Sequence, residues 1–285
     1  MLFVDTRNGD GSAGGHAIAD LARDRGIEAV TSCSGGDLRA RVSEVVADGA
    51  DALGMAGGDG SLALVAAVAA AHELPFVCIP VGTRNHFARD LGMDVGDVAD
   101  ALDAFTVGVE REIDVGVVNG RMFLNSVSLA FRGGGRRGDH HDAGVCTLGA
   151  TARRVLVPGG LMPELRPAEE TEGEQLRPGV LLISNNPYAL EGPSAGTRPT
   201  LASRRLGVLF IDAWKEMRPS PGRAWSASHL DVQAADETRA GIDGDEVQLL
   251  GPLRFDVQPA ALRVRISRRH PGAPPLARLP SWSSS

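Results

Sequence analysis

Residues 56–68, AGGDGSLALVAAV, set Gly57, Gly58 and Gly60 around a single carboxylate, Asp59, and then run straight into an apolar stretch. The run before them, DALGMA from Asp51, reads as a strand, and SLALVAAVAAAHE from Ser61 reads as a helix. The glycines therefore fall at a strand-to-helix turn. Without a Cβ they expose backbone N–H groups and let an anion approach, and a helix starting at Ser61, a good N-cap residue, adds its positive dipole end. Asp59 cannot itself bind phosphate, because like charges repel. It suits a ligand, direct or through water, of the Mg²⁺ that accompanies a nucleoside triphosphate. The same residues equally suit a tight βα turn with a solvated carboxylate, and this stretch alone leaves both readings open.

Outward from that turn, roughly the first 110 residues alternate short apolar runs with helical patterns, as a parallel α/β unit does. LFV (Leu2–Val4), IEAVT (Ile27–Thr31), DALGMA and PFVCIP (Pro75–Pro80) read as strands. HAIADLARDRG, DLRARVSEVVADG, NHFARDLG and VGDVADALDAF read as helices. After about Val109 the pattern becomes all-β. IDVGVVNGRMFLNSVSLAF holds two strands joined at Asn119-Gly120, a pair that suits a type I′ turn. GVLLISNN, LGVLFIDAW, SASHLDVQAA, RAGIDGDEVQLL, LRFDVQ and ALRVRIS follow as short runs separated by turn residues. Residues 132–175 carry no clear periodicity. The expected organisation is an α/β nucleotide-binding domain at 1–112, a β-sandwich domain at 113–268 and a Pro/Ser-rich tail at 269–285.

Composition narrows the function classes. With 29 basic and 36 acidic residues the chain carries a net charge of −7, which argues against a phosphate-tracking surface and against nucleic acid as partner. Mean hydropathy is −0.05, ordinary for a soluble protein. Cys33, Cys78 and Cys146 are widely spaced and read as reduced, small apolar residues. MLFVDTRNGDG lacks the pattern of a secretory signal, and the longest apolar run, Leu62–Ala71, is half a membrane span. A cytoplasmic protein is expected, peripheral at most to a membrane.

A second turn, PVGTRNHFARDLG (Pro80–Gly92), follows the next strand, and loops after neighbouring strands of a doubly wound sheet meet at the carboxyl edge. GGDGS followed by P-V-G-T-R-N-H-F-A-R resembles the diacylglycerol kinase catalytic-domain family, which includes bacterial lipid kinases and sphingosine kinases. EIDVGVVNGRMFLNSVSLAF, LLISNNPYALEG and AGIDGDEVQLLGPLRFDVQPAALRVRI resemble later family segments, in the family's order. The resemblance implies a Rossmann-like α/β domain, then a β-sandwich, with the active site in the cleft between them. It implies ATP and Mg²⁺ as cofactors, a lipid such as diacylglycerol at the membrane surface as substrate, and a homodimer among the partners. It assigns Gly57, Gly58, Gly60, Ser61, Thr31, Gly82, Thr83 and Asn85 to the nucleotide and Asp59 to the metal. Asp245 or Glu246 is then the base that activates the lipid hydroxyl.

The sequence departs from the family pattern at four positions. Asp5 stands for Asn in the first loop, and His86 for Asp in Gly-Thr-x-Asn-Asp. Ala202, in RPTLASRRL, stands for an Asp that holds a structural Mg²⁺. Asp245 stands for Glu, pulling the base back by one methylene, roughly 1.5 Å. Two further classes therefore stay in view: a nucleotide- or lipid-binding protein that has lost turnover, and, through the shared Gly-Gly-Asp-Gly loop, a kinase of a soluble substrate such as NAD. Competing motifs are weaker. GDGSAG (Gly9–Gly14) matches a dinucleotide fingerprint, but the second strand ends at Thr31 where that site wants an acid. DHHD (Asp139–Asp142) lacks a further ligand cluster, and Arg132, Arg136, Arg137, Arg153 and Arg154 read as a solvated basic loop or as contacts to anionic headgroups.

Overall fold

The computed structural model describes residues 1–6, 12–32, 35–131, 164–167, 174–175, 179–190, 196–212, 221–234 and 237–269. The chain forms two compact units. The first contains Met1–Ile113, Pro199–Ala202 and the segment from Ala260 onward; the second contains Asp114–Arg198 and Ser203–Pro259. The division does not follow chain order, because the last strand serves both units.

In the first unit the elements run β1 (Leu2–Asp5), α1 (Ser12–Arg23), β2 (Ala29–Ser32), α2 (Gly35–Ala47), β3 (Leu53–Gly57), α3 (Asp59–Ala71), β4 (Phe76–Pro80), α4 (His86–Asp90) and α5 (Val98–Val107). The strands lie parallel in the order β2-β1-β3-β4, and Val264–Arg265 of β16 (Leu253–Ile266) adds a parallel edge beside Phe76–Val77. Every residue of β1, β3 and β4 is buried, which explains why these strands read as continuous apolar runs without alternation. α3 buries Leu62, Ala63, Val65, Ala66, Val68 and Ala69 along one broad face. The strand order reverses between β1 and β3, and in open α/β sheets that switch point is where ligands bind beyond the carboxyl ends.

The second unit is antiparallel. It holds β5 (Val109–Val118), which begins just before it, β6 (Arg121–Phe123), β7 (Ser126–Phe131), β8 (Glu164–Pro167) and β9 (Glu174–Gln175). β10 (Gly179–Asn185), β11 (Leu206–Asp212), β12 (Pro221–Ala227), β13 (His229–Val232), β14 (Glu237–Ile242) and β15 (Asp245–Leu250) follow. One sheet has the order β12-β11-β10-β7-β14-β15. The start of β16 pairs β13, which pairs β8, and β5 pairs β6 across the Asn119-Gly120 turn. Asn119 at φ 47° and Gly120 at φ 79° give that turn the left-handed conformation expected of the pair. Leu129, Leu181, Ile183, Val208 and Ile242 from the six-stranded sheet pack with Leu230, Val232, Leu253 and Phe255 from the other strands, so the core lies between two sheets. An α/β unit joined to a β-sandwich is the architecture expected from the sequence.

Some local expectations change. RAGIDGDEVQLL is not one run but two strands folded about Asp243 (φ 51°) and Gly244 (φ 99°), a second turn of the same left-handed kind. LRFDVQ and ALRVRIS are one strand, β16, with Ala260 at φ 51° between them. β12 starts at Pro221, in a stretch whose Pro, Gly and Arg concealed any alternation. β8 and β9 lie in the span that had no assignment. DHHD, the five arginines between 132 and 154, Cys33, Cys146 and the tail beyond 269 lie outside the described residues.

Candidate functional site

In the first unit the glycine turn sits at the switch point. β3 ends at Gly57, and the chain enters α3 within two residues. The helix begins earlier than expected: Gly58, not Ser61, is the N-cap, at φ −79° and ψ 169°, with no side chain capping the helix. Gly58 takes the extended conformation of an N-cap directly after the strand, which places Asp59 in the first turn, where a carboxylate favours the dipole. Leu62 N–H donates to Gly58 O, closing the first helical hydrogen bond.

The glycines serve space rather than unusual backbone angles. A Cβ on Gly57 would lie 2.7 Å from Met55 Cε and 3.5 Å from Asp5 Cβ. A Cβ on Gly82 would lie 3.0 Å from Gly58 Cα and 3.2 Å from Gly57 O. The loops after β3 and β4 therefore touch backbone to backbone, as two loops lining one crevice must. A second tie joins them: Phe87 N–H, in α4, donates to Asp59 Oδ1 at 3.4 Å.

Asn85 holds the second loop in shape. It is buried, sits at φ 50°, and its Oδ1 accepts Gly82 N–H at 2.8 Å. Gly82 N–H is thus engaged within the loop, so Gly82 contributes closeness, not a donor, to any anion. Thr83 is exposed next to it. Asp5 is buried at the end of β1, and Ser61 Oγ donates to its Oδ2 at 3.4 Å. Thr31 pairs in register with Val4 near the end of β2 and is half-buried. Behind Asp59 lies Cys78, fully buried in β4. Burial first, and then the charge of Asp59, push its thiol well above the ordinary range, so it stays a neutral part of the wall.

The residues present fit a nucleotide with a divalent cation. An uncapped helix start with small residues on both loops leaves room for phosphate oxygens. Asp59, half-buried with one oxygen fixed by Phe87, suits a hard cation. Asp5 adds a second carboxylate beside the same helix turn.

Asp245 and Glu246 belong to the second unit, both exposed at the start of β15. The register runs unbroken from Ile242↔Asp245 to Glu237↔Leu250, with no bulge. Asp245 therefore shares the face of buried Ile242 and Leu249, while Glu246 lies on the other face and pairs with Arg239 at 3.5 Å. Ala202, in the first unit, is exposed in a turn where its N–H bonds Thr200 Oγ1.

Sequence reasoning missed a buried polar network in the second unit. Arg198, fully buried, donates from Nη1 to Leu124 O and Asn185 O at 2.6 and 2.8 Å and from Nη2 to Asn125 Oδ1 at 2.7 Å. Asn185 Nδ2 donates to Asp114 O at 2.7 Å, and Asn186 Oδ1 accepts Ser203 N–H and Oγ–H. Asp243, only 7% exposed, accepts Leu124, Asn125 and Ser126 N–H groups. The signal was present as polar residues inside apolar runs, such as SNN after VLLI.

Comparison with known proteins gives the family and the fold. Residues 1–118 match the diacylglycerol kinase catalytic domain. A Pseudomonas fluorescens protein named "Probable lipid kinase YegS-like" is 30% identical over 269 residues, covering 83% of this chain and 84% of its own. A Bacillus subtilis diacylglycerol kinase is 34% identical over 161 residues, 54% of this chain and 51% of its own. The crystal structure of a diacylglycerol kinase from Bacillus anthracis str. Sterne superposes with a TM-score of 0.65 at 15% identity, covering 94% of this chain and 97% of that one. A sandwich-bearing α/β protein with a glycine turn at its switch point is the class that fold and site define, a kinase-like phosphotransferase. The chain belongs to the diacylglycerol kinase catalytic-domain family, a family of lipid kinases.

Proposed function

We propose that the chain is an ATP- and Mg²⁺-dependent kinase that phosphorylates the hydroxyl of diacylglycerol or a similar lipid at a membrane surface. The observation that carries this reading is the meeting of the two loops. Gly82 abuts Gly58, and Phe87 N–H holds Asp59, at the uncapped start of α3. Gly57, Gly58, Gly60 and Ser61 admit the phosphates to that helix end. Asn85 keeps the second loop closed on itself, with Gly82 and Thr83 at its rim, and Thr31 borders the nucleotide from β2. Asp59 would hold the Mg²⁺, which when bound neutralises phosphate charge and aligns the transferred group. Of the two acids, Asp245 is assigned as the base that takes the hydroxyl proton, because it lies on the opposite face of β15 from Glu246, which pairs with Arg239.

The test is incubation with γ-labelled ATP, Mg²⁺ and a panel of lipids in mixed micelles, with NAD as a soluble acceptor, for the parent and Asp59→Asn. Label in a lipid is expected from the parent only, with thermal stability nearly unchanged in the variant. Transfer to NAD but no lipid, or near-normal turnover by Asp59→Asn, would refute the reading.

A further inference from the structure

We propose that Asp243 is a positioning residue, a buried strut that fixes the hairpin end from which the base Asp245 projects; this rests on the lipid-kinase reading above. Both oxygens of Asp243 are engaged. Oδ1 accepts Asn125 N–H at 2.7 Å and Ser126 N–H at 3.1 Å, and Oδ2 accepts Leu124 N–H at 2.7 Å. Its own N–H donates to Ser126 O at 3.0 Å. One residue is thereby tied by four hydrogen bonds to three consecutive residues at the β6–β7 corner. Charge-assisted bonds of this length are among the stronger ones available to a backbone amide.

The corner itself is anchored. Leu124 O and Asn125 Oδ1 accept from Arg198, whose guanidinium also holds Asn185 O at the end of β10. Asp243 thus passes the rigidity of the sandwich interior to the turn. From Asp243 the chain needs only Gly244 to reach Asp245, which pairs directly with Ile242. Gly244 sits at φ 99°, and among the described residues nothing lies within 4 Å of where its Cβ would be, so the turn is closed by the Ile242–Asp245 pairing and tied to the corner by Asp243. A carboxylate shorter than glutamate has less reach with which to correct a misplaced backbone, so the position of this hairpin end matters more for Asp245 than it would for a longer base. Asp243 is distinct from the base because its oxygens face the protein's own amides and the residue is almost wholly buried.

The test compares the parent with Asp243→Asn, Gly244→Ala and Asp245→Asn. It reads kcat, the KM for ATP, the pH–rate profile and amide hydrogen exchange at Leu124–Ser126. Asp243→Asn presents an amide where at least one N–H needs an acceptor. A fall in kcat of roughly tenfold to a hundredfold is expected, with the KM for ATP within about twofold. The acidic limb of the pH profile should stay in place, and exchange at the corner should quicken at least about tenfold. Gly244→Ala strains the same turn without touching the carboxylate, and should lower kcat less while also keeping the limb. It carries the kinetic test if Asp243→Asn does not fold. Asp245→Asn should remove the limb. Unchanged kcat and exchange in Asp243→Asn overturn the proposal, and so does loss of the acidic limb in that variant, which makes Asp243 the base. If the parent phosphorylates no lipid, the kinase reading falls, and the exchange result alone decides whether Asp243 holds the corner.

Discussion

Gly82→Ala is the sharpest probe of the nucleotide loops, because one methyl group tests whether their contact matters. The added Cβ would lie 3.0 Å from Gly58 Cα, 3.2 Å from Gly57 O and 3.0 Å from Asn85 Oδ1. The Asn85 side chain could swing aside, at the expense of its bond to Gly82 N–H. The Gly57–Gly58 backbone cannot, because Gly57 ends a fully buried strand and Gly58 begins α3. Carbon atoms attract best at about 3.5–4.0 Å, so the two loops must part by roughly half an ångström. Overpacking of this kind costs about 1–3 kcal/mol, which lowers Tm by roughly 2–10 °C in a chain of this size. The same shift moves the helix start away from the second loop, and MgATP affinity should fall about tenfold, near 1.4 kcal/mol. Thermal melting and calorimetric titration read the two effects. Gly96→Ala is the control, since its Cβ would meet only Asp94 Oδ1 at 3.4 Å, an ordinary contact, and both quantities should match the parent. A Gly82→Ala protein with parental Tm and parental MgATP affinity would show that the loops do not meet as described, or that nucleotide binds elsewhere.

Gly58→Val should lower ATP affinity about tenfold; Gly58 has an ordinary extended φ of −79°, so the change acts through the bulk added where Gly82 abuts and not through backbone strain. Titration of the folded variant decides it, and unchanged affinity means the turn does not touch phosphate. Arg198→Met should destabilise the protein by about 3 kcal/mol or more, since it strips the donors from Leu124 O, Asn185 O and Asn125 Oδ1 inside the sandwich; a loss of unfolding free energy of less than about 1 kcal/mol in urea titration would contradict the network. His229 gives a pH dependence. Partial burial alone would lower its pKa, but hydrogen bonds to Asp256 at 2.6 Å and Asp231 at 3.1 Å outweigh this and raise it. The folded state therefore binds the proton more tightly than the unfolded state does, and this contribution is fully present below about pH 6.5 and lost as pH rises through the raised value. Melting of parent and His229→Gln between pH 5.5 and 8.5 should show their difference shrinking upward, and a difference that grows with pH would overturn the assignment.

The α/β unit was legible because its signals are local. Buried parallel strands read as unbroken apolar runs, and the glycine turn between β3 and α3 announces a close approach within five residues. The start of α3 is not legible from cap preference: Ser61 is the better N-cap by preference, but the chain turns directly after β3 and the helix begins at Asp59 with Gly58 as its N-cap. In the sandwich, the two hairpins at Asn119-Gly120 and Asp243-Gly244 have the same backbone form. Nothing near Asp243 in the sequence shows its role, because the three amides it accepts come from residues more than a hundred positions away. Arg198 was passed over within RPTLASRRL for the same reason, since nothing in its neighbours reveals that its partners are Leu124, Asn125 and Asn185.

The positions read as departures do not carry equal weight once their surroundings are known. Ala202 is exposed, and its backbone N–H bonds Thr200 Oγ1, so a change of side chain there leaves the interior of the unit untouched. Asp5 is buried against Ser61, in the first turn of the helix that would receive phosphate, where a carboxylate strengthens the case for a cation whenever a triphosphate is present. Asp245 is the most consequential. The unbroken register puts it on the side of Ile242 and Leu249 and puts Glu246 on the other, so the longer acid one residue along cannot substitute without a bulge that the strand does not have. If the base is one methylene short, the remedy lies at Asp245 itself: Asp245→Glu should raise lipid turnover, and Glu246→Gln should leave it within about twofold of the parent, since an exposed ion pair with Arg239 contributes little. Kinetics at saturating ATP separate the two, and a large loss in Glu246→Gln with no gain in Asp245→Glu would move the base to the other face of the strand.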